Sequence, residues 1–302
     1  MSLEKLAYIV SIAKHQSISM AAESLSVSQS TLSKFIQDLE SELGQPLFQQ
    51  CGKKLLLTYA GERYVEKSRM ILTLKKELDQ ELSDIVNDDV GVLRVAFPIM
   101  RGTYMLPCTL PVFTQRFPNV RVSVHEANSA VLEDMLLAGE IDLAFFTLPI
   151  RNSDISYEVI CHEEVVLLMA GDHPKAGVGV CKPDCKYPWV DIAKLSSEKF
   201  ILHMPDQRTR QIADRIFREA GIEPNVVLSV RNILASVQLA ADGYGMSFVG
   251  ETHLRHIDTK KSPACFSIGR PNITTSFVAA FRRNAYLPRH TQEFIKIVKE
   301  FT

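Results

Sequence analysis

Residues 17–43, SISMAAESLSVSQSTLSKFIQDLESEL, constrain this chain most, because they read as two short amphipathic helices joined by a tight polar turn, a helix-turn-helix. In the second helix Leu32, Phe35, Ile36, Leu39 and Leu43 recur at i, i+3, i+4, i+7 and i+11, one stripe of a 3.6-residue period. Gln29, Ser30, Ser33, Lys34 and Gln37 therefore point away from the core. Ser28 is placed to cap this helix, its hydroxyl accepting from first-turn N–H groups. The N-terminal part of such a second helix reaches base edges in the major groove. Amides and hydroxyls suit that task because they both donate and accept, while Lys34 can reach a phosphate or a guanine. An ordinary solvated helix pair is the alternative, and the flanking residues argue against it. Leu3, Leu6, Ala7, Val10 and Ala13 give an upstream helix its own apolar stripe, and Ala21, Ala22 and Leu25 offer a small surface for close packing. Downstream, Pro46-Leu47-Phe48 and Leu55-Leu56-Leu57-Thr58 flank a hairpin in which Gly52 supplies positive φ, a wing carrying Lys53 and Lys54.

Charge alone would not reveal this domain, since residues 1–61 hold five Lys/Arg and five Asp/Glu, whereas nucleic-acid binders usually carry a basic excess. Segregation replaces excess: Lys34, Lys53 and Lys54 fall on one side, Glu40 and Glu42 at the far end of the second helix. One such domain binds weakly, so copies must act together. From Ala60 to Ile85 there is no proline, Thr58 can cap the helix, and Tyr64, Ile71, Leu78 and Ile85 recur every seven residues with Leu74 and Leu82 between them. That is a coiled-coil-like seam, or else an amphipathic helix packed on its own chain. Pairing through it would place two recognition helices about one DNA turn apart and impose an inverted-repeat operator.

Asn87-Asp88-Asp89-Val90-Gly91 breaks the helix, and the rest of the 302-residue chain, which is 46% hydrophobic overall, can fill a second, larger core. Segments 91–97, 120–127, 141–147, 165–171, 199–204, 226–230, 246–250 and 274–281 read as strands. Helical stretches at 104–116, 129–138, 208–220 and 233–242 alternate with them, the pattern of an α/β protein with largely parallel sheets and room for two subdomains around a cleft. In such sheets small ligands bind beyond the carboxyl ends of strands, where helix N-termini face anions. Residues at those ends include Met100, Arg101, Thr103, Asn128, Ser129, Thr147, His203 and Asn232. Each taken singly also suits a helix cap or a surface position.

An exported binding protein or an enzyme built on the same half is the competing class. The opening MSLEKLAYIV lacks a leader pattern, no apolar run reaches membrane length, and G-x-S-x-G, Walker, G-x-G-x-x-G and H-E-x-x-H motifs do not occur. Six dispersed cysteines fit a reducing compartment. Cys181-Lys182-Pro183-Asp184-Cys185 is the exception, open to a redox switch helped by Lys182 and Lys186, to half of a metal site, or to incidental thiols.

The run AAESLSVSQSTLSKFIQDLESELG, followed by PLF and then LTYAG, resembles the N-terminal domain of LysR-type transcriptional regulators, and the likeness continues to the C-terminus. It implies an all-α winged helix-turn-helix over 1–59, a linker and dimerisation helix over 60–88, and an α/β effector-binding domain over 89–302. That last domain is similar to type 2 periplasmic solute-binding proteins, with lobe I at about 89–163 and 268–302 and lobe II at about 164–267. By resemblance, Gln29, Ser30, Ser33 and Lys34 sit where family members contact DNA. Ser30 stands where proline is common, and Gln50 where the usual wing arginine meets phosphate. Positions equivalent to Met100, Arg101, Thr103, Asn128, Ser129, Thr147, His203 and Asn232 line the effector cleft, and Arg101 with His203 would favour an anion such as a small carboxylate. The expected partners are double-stranded DNA, the effector, a second or fourth copy of the chain, and RNA polymerase. No metal, membrane or catalytic role is expected, and the expected location is the cytoplasm.

Overall fold

The computed structural model describes residues 2–52, 54–86, 90–270 and 272–302 and separates into two compact units, Met1–Asp88 and Asp89–Thr302. In the first, helices α1 (Leu3–His15), α2 (Ile18–Ser24) and α3 (Gln29–Leu43) share one core. Serine caps every one of them: Ser2, Ser17 and Ser28 accept from the backbone N–H three residues on. The α1 stripe is Leu6, Ile9 and Ile12, with Leu3 exposed, so the helix is rotated from the expected Leu3–Leu6–Ala7–Val10–Ala13 face towards its larger β-branched residues. On α3, Leu32, Ile36 and Leu39 are buried as expected, while Leu43 is exposed beside the left-handed C-cap Gly44.

The wing is β1 (Phe48–Cys51) paired antiparallel with β2 (Lys54–Leu57). Glu40, expected only to keep acid away from DNA, accepts from the N–H groups of Leu47 (2.6 Å) and Phe48 (3.0 Å) and so ties α3 to the start of β1. Thr58 caps α4 (Tyr59–Val86), accepting from Gly61 N–H at 3.1 Å. A Cβ on Gly61 would lie 1.9 Å from the Leu47 carbonyl oxygen, which is why a glycine stands where α4 crosses the wing. Val65 packs into the three-helix core, whereas Ile71, Leu74, Leu78 and Leu82 are exposed, Leu74 by 65%. Of the expected seam, Tyr64 packs against that core and these four described positions stay exposed. Lys53, the 87–89 break and the side chain of Ile85 lie outside the described residues.

The second unit holds β3 (Gly91–Phe97), α5 (Ile99–Arg116), β4 (Val120–Glu126), α6 (Ser129–Leu137), β5 (Leu143–Thr147), β6 (Ile155–Ala170), β7 (Lys199–His203), α7 (Arg208–Ala220), β8 (Asn225–Val230), α8 (Ile233–Ala241), β9 (Ser247–Gly250), α9 (Glu251–Leu254), β10 (Pro263–Ser267), β11 (Thr274–Arg282) and α10 (Arg289–Glu300). One sheet runs β10-β6-β11-β5-β3-β4 with β9 also beside β6, and β7 pairs β8 separately. The expectation of largely parallel sheets is corrected here. β3/β4, β3/β5 and β7/β8 are parallel, but β11 runs antiparallel to β5 and β6, and β9 and β10 antiparallel to β6.

The cause is β6. It pairs with β11 through Ile155–Glu164 and with β9 and β10 through Val165–Ala170, carrying the chain from one subassembly to the other, while β11 brings it back in the opposite sense. Only the second half of β6 was legible as a strand, because Ser156–His162 mix polar with apolar residues and are half-buried or exposed, whereas Val165–Ala170 are an unbroken apolar run, fully buried. Each subassembly has its own aromatic core: Phe97, Phe113, Phe145, Phe277 and Phe294 in lobe I, Phe200, Phe217, Phe248 and Phe266 in lobe II.

Candidate functional site

Two surfaces carry chemistry. The first is the opening turn of α3, where Gln29 and Ser30 are exposed, Ser33 is half-buried, and Lys34 and Gln37 are exposed on successive turns. The Ser28 oxygen lies 2.9 Å from the Ser30 hydroxyl and 2.7 Å from that of Thr31 while accepting from Thr31 N–H at 3.1 Å, so the cap is a small network. Gln29 is held from outside the helix: Ser19 on α2 donates to its Oε1 at 3.0 Å. On the wing Lys54 is exposed, and Gln50 donates to the Gly52 carbonyl at 2.7 Å, folding back on the hairpin tip instead of reaching outward.

The second surface lies at the carboxyl ends of the strands of the larger unit. Helix α5 begins at Ile99 rather than 104, which puts Arg101 and Thr103 on its first turns and not in a loop. Arg101 is 3% exposed. Its guanidinium donates to Glu163 on β6 (2.5 Å) and to Thr252 on α9 (2.6 Å), and its carbon lies 4.2 Å from the Phe277 ring centre. Thr252 in turn donates to Glu163, and Thr147 reaches the same carboxylate at 3.5 Å. Burial is the largest single effect and opposes the Arg101 charge, but the Glu163 carboxylate, helped by Tyr104 and Cys161, tips the balance and the guanidinium pKa is raised. This knot joins lobe I to lobe II through the crossing strand.

Further struts bridge the lobes. Asn128 caps α6 through Val131 N–H (3.0 Å) while its Nδ2 donates to Asp206 after β7 (3.1 Å), and Arg231 holds the same carboxylate at 2.8 Å. Arg208, the first residue of α7, donates to the carbonyl oxygens of Thr147 (3.3 Å) and Pro149 and lies 3.6 Å from the buried Glu133 carboxylate of α6. Burial pulls the Arg208 pKa down, against the raising effect of Glu133.

His203 is 1% exposed, bonded to the Ser236 hydroxyl at 3.0 Å, and burial pushes its pKa down to about 4. It is therefore neutral at physiological pH. Neither Arg101, ion-paired, nor His203, uncharged, is free to attract an anion as the sequence led us to expect. The other candidates divide. Met100 packs against the lobe II core around Val166, Leu168 and Val237, Ser129 is half-buried, and Asn232 caps α8 through Ala235 N–H (3.3 Å). Thr103 is exposed and its hydroxyl is bonded back to the Ile99 carbonyl.

Sequence reasoning passed over Glu163, Asp206, Arg208 and Thr252. Two signals stood in plain view: Glu163-Glu164 at the mouth of an all-apolar strand half, and Arg208 at a helix start, where a cation opposes the helix dipole. In the cysteine loop both expected thiol-activating cations have other partners, Lys182 over the Trp189 ring and Lys186 on Glu251, and Cys181 and Cys185 are not joined in a disulfide. Among the described residues no group of three His, Cys, Asp or Glu could hold a metal ion, and no helix is long and apolar enough to cross a membrane.

Residues 3–62 match the model of the bacterial regulatory helix-turn-helix protein, lysR family, and residues 87–302 that of the LysR substrate binding domain. The DNA-binding transcriptional dual regulator OxyR of Escherichia coli is 30% identical over 250 residues, 82% of this chain and 79% of that protein. Among solved structures, a full-length OxyR variant from Pseudomonas aeruginosa aligns with a TM-score of 0.76 at 24% identity, over 99% of this chain and 95% of that one. Full-length CbnR complexed with its target DNA aligns with a TM-score of 0.62 at 24% identity, over 100% of both chains. At this identity the two structures speak for the fold alone.

Proposed function

The chain belongs to the LysR family of transcriptional regulators, and from that membership we propose which of its residues meet DNA and which meet the effector. It is a DNA-binding regulator whose activity a small molecule modulates. In our reading Gln29, Ser30, Ser33, Lys34 and Gln37 of α3 enter the major groove of an inverted-repeat operator while Lys53 and Lys54 of the wing approach phosphate. The observation that carries this is the first turn of α3, where a capped helix start presents exposed amide, hydroxyl and ammonium groups above a fully packed three-helix core. The exposed Ile71–Leu82 seam of α4 supports pairing of two chains into a dimer or, further, a tetramer. Contact with RNA polymerase in the cytoplasm, and regulation rather than catalysis, complete the reading.

The effector is placed in the cleft between the lobes, among Met100, Arg101, Thr103, Asn128, Ser129, Thr147, His203 and Asn232. A small carboxylate remains the finer reading, with the attraction supplied differently: α5 and α7 start without side-chain caps, leaving N–H groups for an anion. Footprinting upstream of the protein's own gene tests the DNA half. Protection of an interrupted inverted repeat is expected, lost in Lys34→Ala with a salt slope shallower by about one, while effector binding survives. Calorimetry tests the other half, and tight binding of neutral compounds only would overturn the carboxylate. Thr103→Val or Ser129→Ala should abolish the effector response and keep DNA binding.

A further inference from the structure

We propose that Ser19, on the helix before the recognition helix, sets base choice by orienting Gln29, so that Gln29 reads guanine rather than adenine. The inference rests on the DNA-binding reading above and adds to it a positioning residue and a base. An unrestrained glutamine pairs with adenine by accepting from N6 and donating to N7. Gln29 is not unrestrained: the Ser19 hydroxyl donates to its Oε1 at 3.0 Å across the α2–α3 junction, which occupies one of that oxygen's two acceptor sites and turns the balance of the amide towards its two Nε2 hydrogens, unengaged among the described hydrogen bonds. Two donors match the N7 and O6 acceptors of guanine, and guanine is the one base presenting both on its major-groove edge.

The neighbours show that the restraint is local to this turn. Ser30 is engaged with Ser28 at 2.9 Å and Thr31 with Ser28 at 2.7 Å. Among the described hydrogen bonds, none involves the side chains of Ser33, Lys34 or Gln37, which stay adaptable. A side chain fixed before docking gives up less rotamer freedom on binding. The exposed Ser19–Gln29 bond also strengthens once the groove excludes water around it. Gln29 touches the base and Ser19 acts through it.

The test is in vitro selection of random duplex DNA by the full-length protein and its Ser19→Ala, Ser19→Thr and Gln29→Ala variants, followed by binding to the selected site and its single-base changes at several salt concentrations. The wild type should select guanine at one position per half-site, roughly tenfold over adenine, and Gln29→Ala should erase that preference. Ser19→Ala should bring adenine to within about twofold of guanine at this position alone, with the salt slope unchanged, and Ser19→Thr should restore the preference. Adenine selected by the wild type at the Gln29-dependent position overturns the proposal, as does a Ser19→Ala base profile identical to wild type. Uniform weakening of Ser19→Ala across all sites, with a slope smaller by about one, makes Ser19 a phosphate contact and also overturns it. An enriched site insensitive to Gln29→Ala would sink this inference while the DNA-binding reading stands. No enriched site at all would overturn that reading too.

Discussion

Replacing Glu163 with leucine isolates the knot that ties the two lobes together. The side chains of Arg101 and Glu163 are 4% and 2% exposed and meet at 2.5 Å, so water cannot solvate the guanidinium when its partner is removed. Arginine cannot shed its proton to escape burial, and a buried pair broken from one side costs about 3–5 kcal/mol. Thr252 at 2.6 Å and the Phe277 ring at 4.2 Å remain as partial compensation, which argues for the lower part of that range. Leucine has nearly the volume of glutamate, so no cavity adds to the loss. Thermal unfolding followed by Trp189 fluorescence reports this unit specifically, because the chain has one tryptophan and its indole N–H donates to the Gly269 carbonyl of the same unit. For a unit of this size, ~2–4 °C of melting temperature accompanies each kcal/mol, so a fall of ~6–20 °C is expected. The double variant Arg101→Met/Glu163→Leu should recover to within about 1 kcal/mol of wild type, since two apolar groups need no partner. A single-variant loss below about 1 kcal/mol, or a double variant as unstable as the single one, would refute the claim that charge pairing in a dry site holds the lobes.

Leu78→Asp changes an exposed position, so the fold should be kept to within about 0.5 kcal/mol while sedimentation shows monomers and DNA affinity falls. A variant that stays dimeric would move the interface off α4. His203 carries its folded pKa near 4, below the ordinary 6.5, so the native state resists the proton that the unfolded chain accepts. Its contribution is complete above pH 6.5 and lost as pH falls towards 4, about 3 kcal/mol in all, and His203→Gln should flatten the stability curve measured by urea unfolding at pH 7, 5.5 and 4.5. Glu40→Ala strands the Leu47 and Phe48 N–H groups at the base of the wing, at a cost of about 1–3 kcal/mol. Hydrogen exchange at those two amides should accelerate before exchange in the α1–α3 core does.

What could be read from the residues alone was whatever depends on near neighbours in the chain. The 3.6-residue stripe of α3, the Ser28 cap, the positive φ of Gly52 and the alternation of strands with helices are local matters, set by backbone geometry and side-chain spacing within a few residues. The exposed seam of α4 was legible for the same reason. Tertiary structure decided the pairings between residues distant in sequence. Arg101 and His203 are one cation and one titratable ring in the sequence, and only burial against Glu163 at 62 residues' separation and beside Ser236 at 33 makes one a neutralised strut and the other an uncharged core group. The first half of β6 escaped notice because its mixed polar and apolar residues form a strand only through their ladder with β11, more than a hundred residues on. Ser19 looked like an ordinary helix-start serine until α2 and α3 were packed and its hydroxyl met Gln29. Propensity is a property of a segment, whereas charge state, strand order and side-chain orientation depend on which distant groups folding brings within about 3 Å.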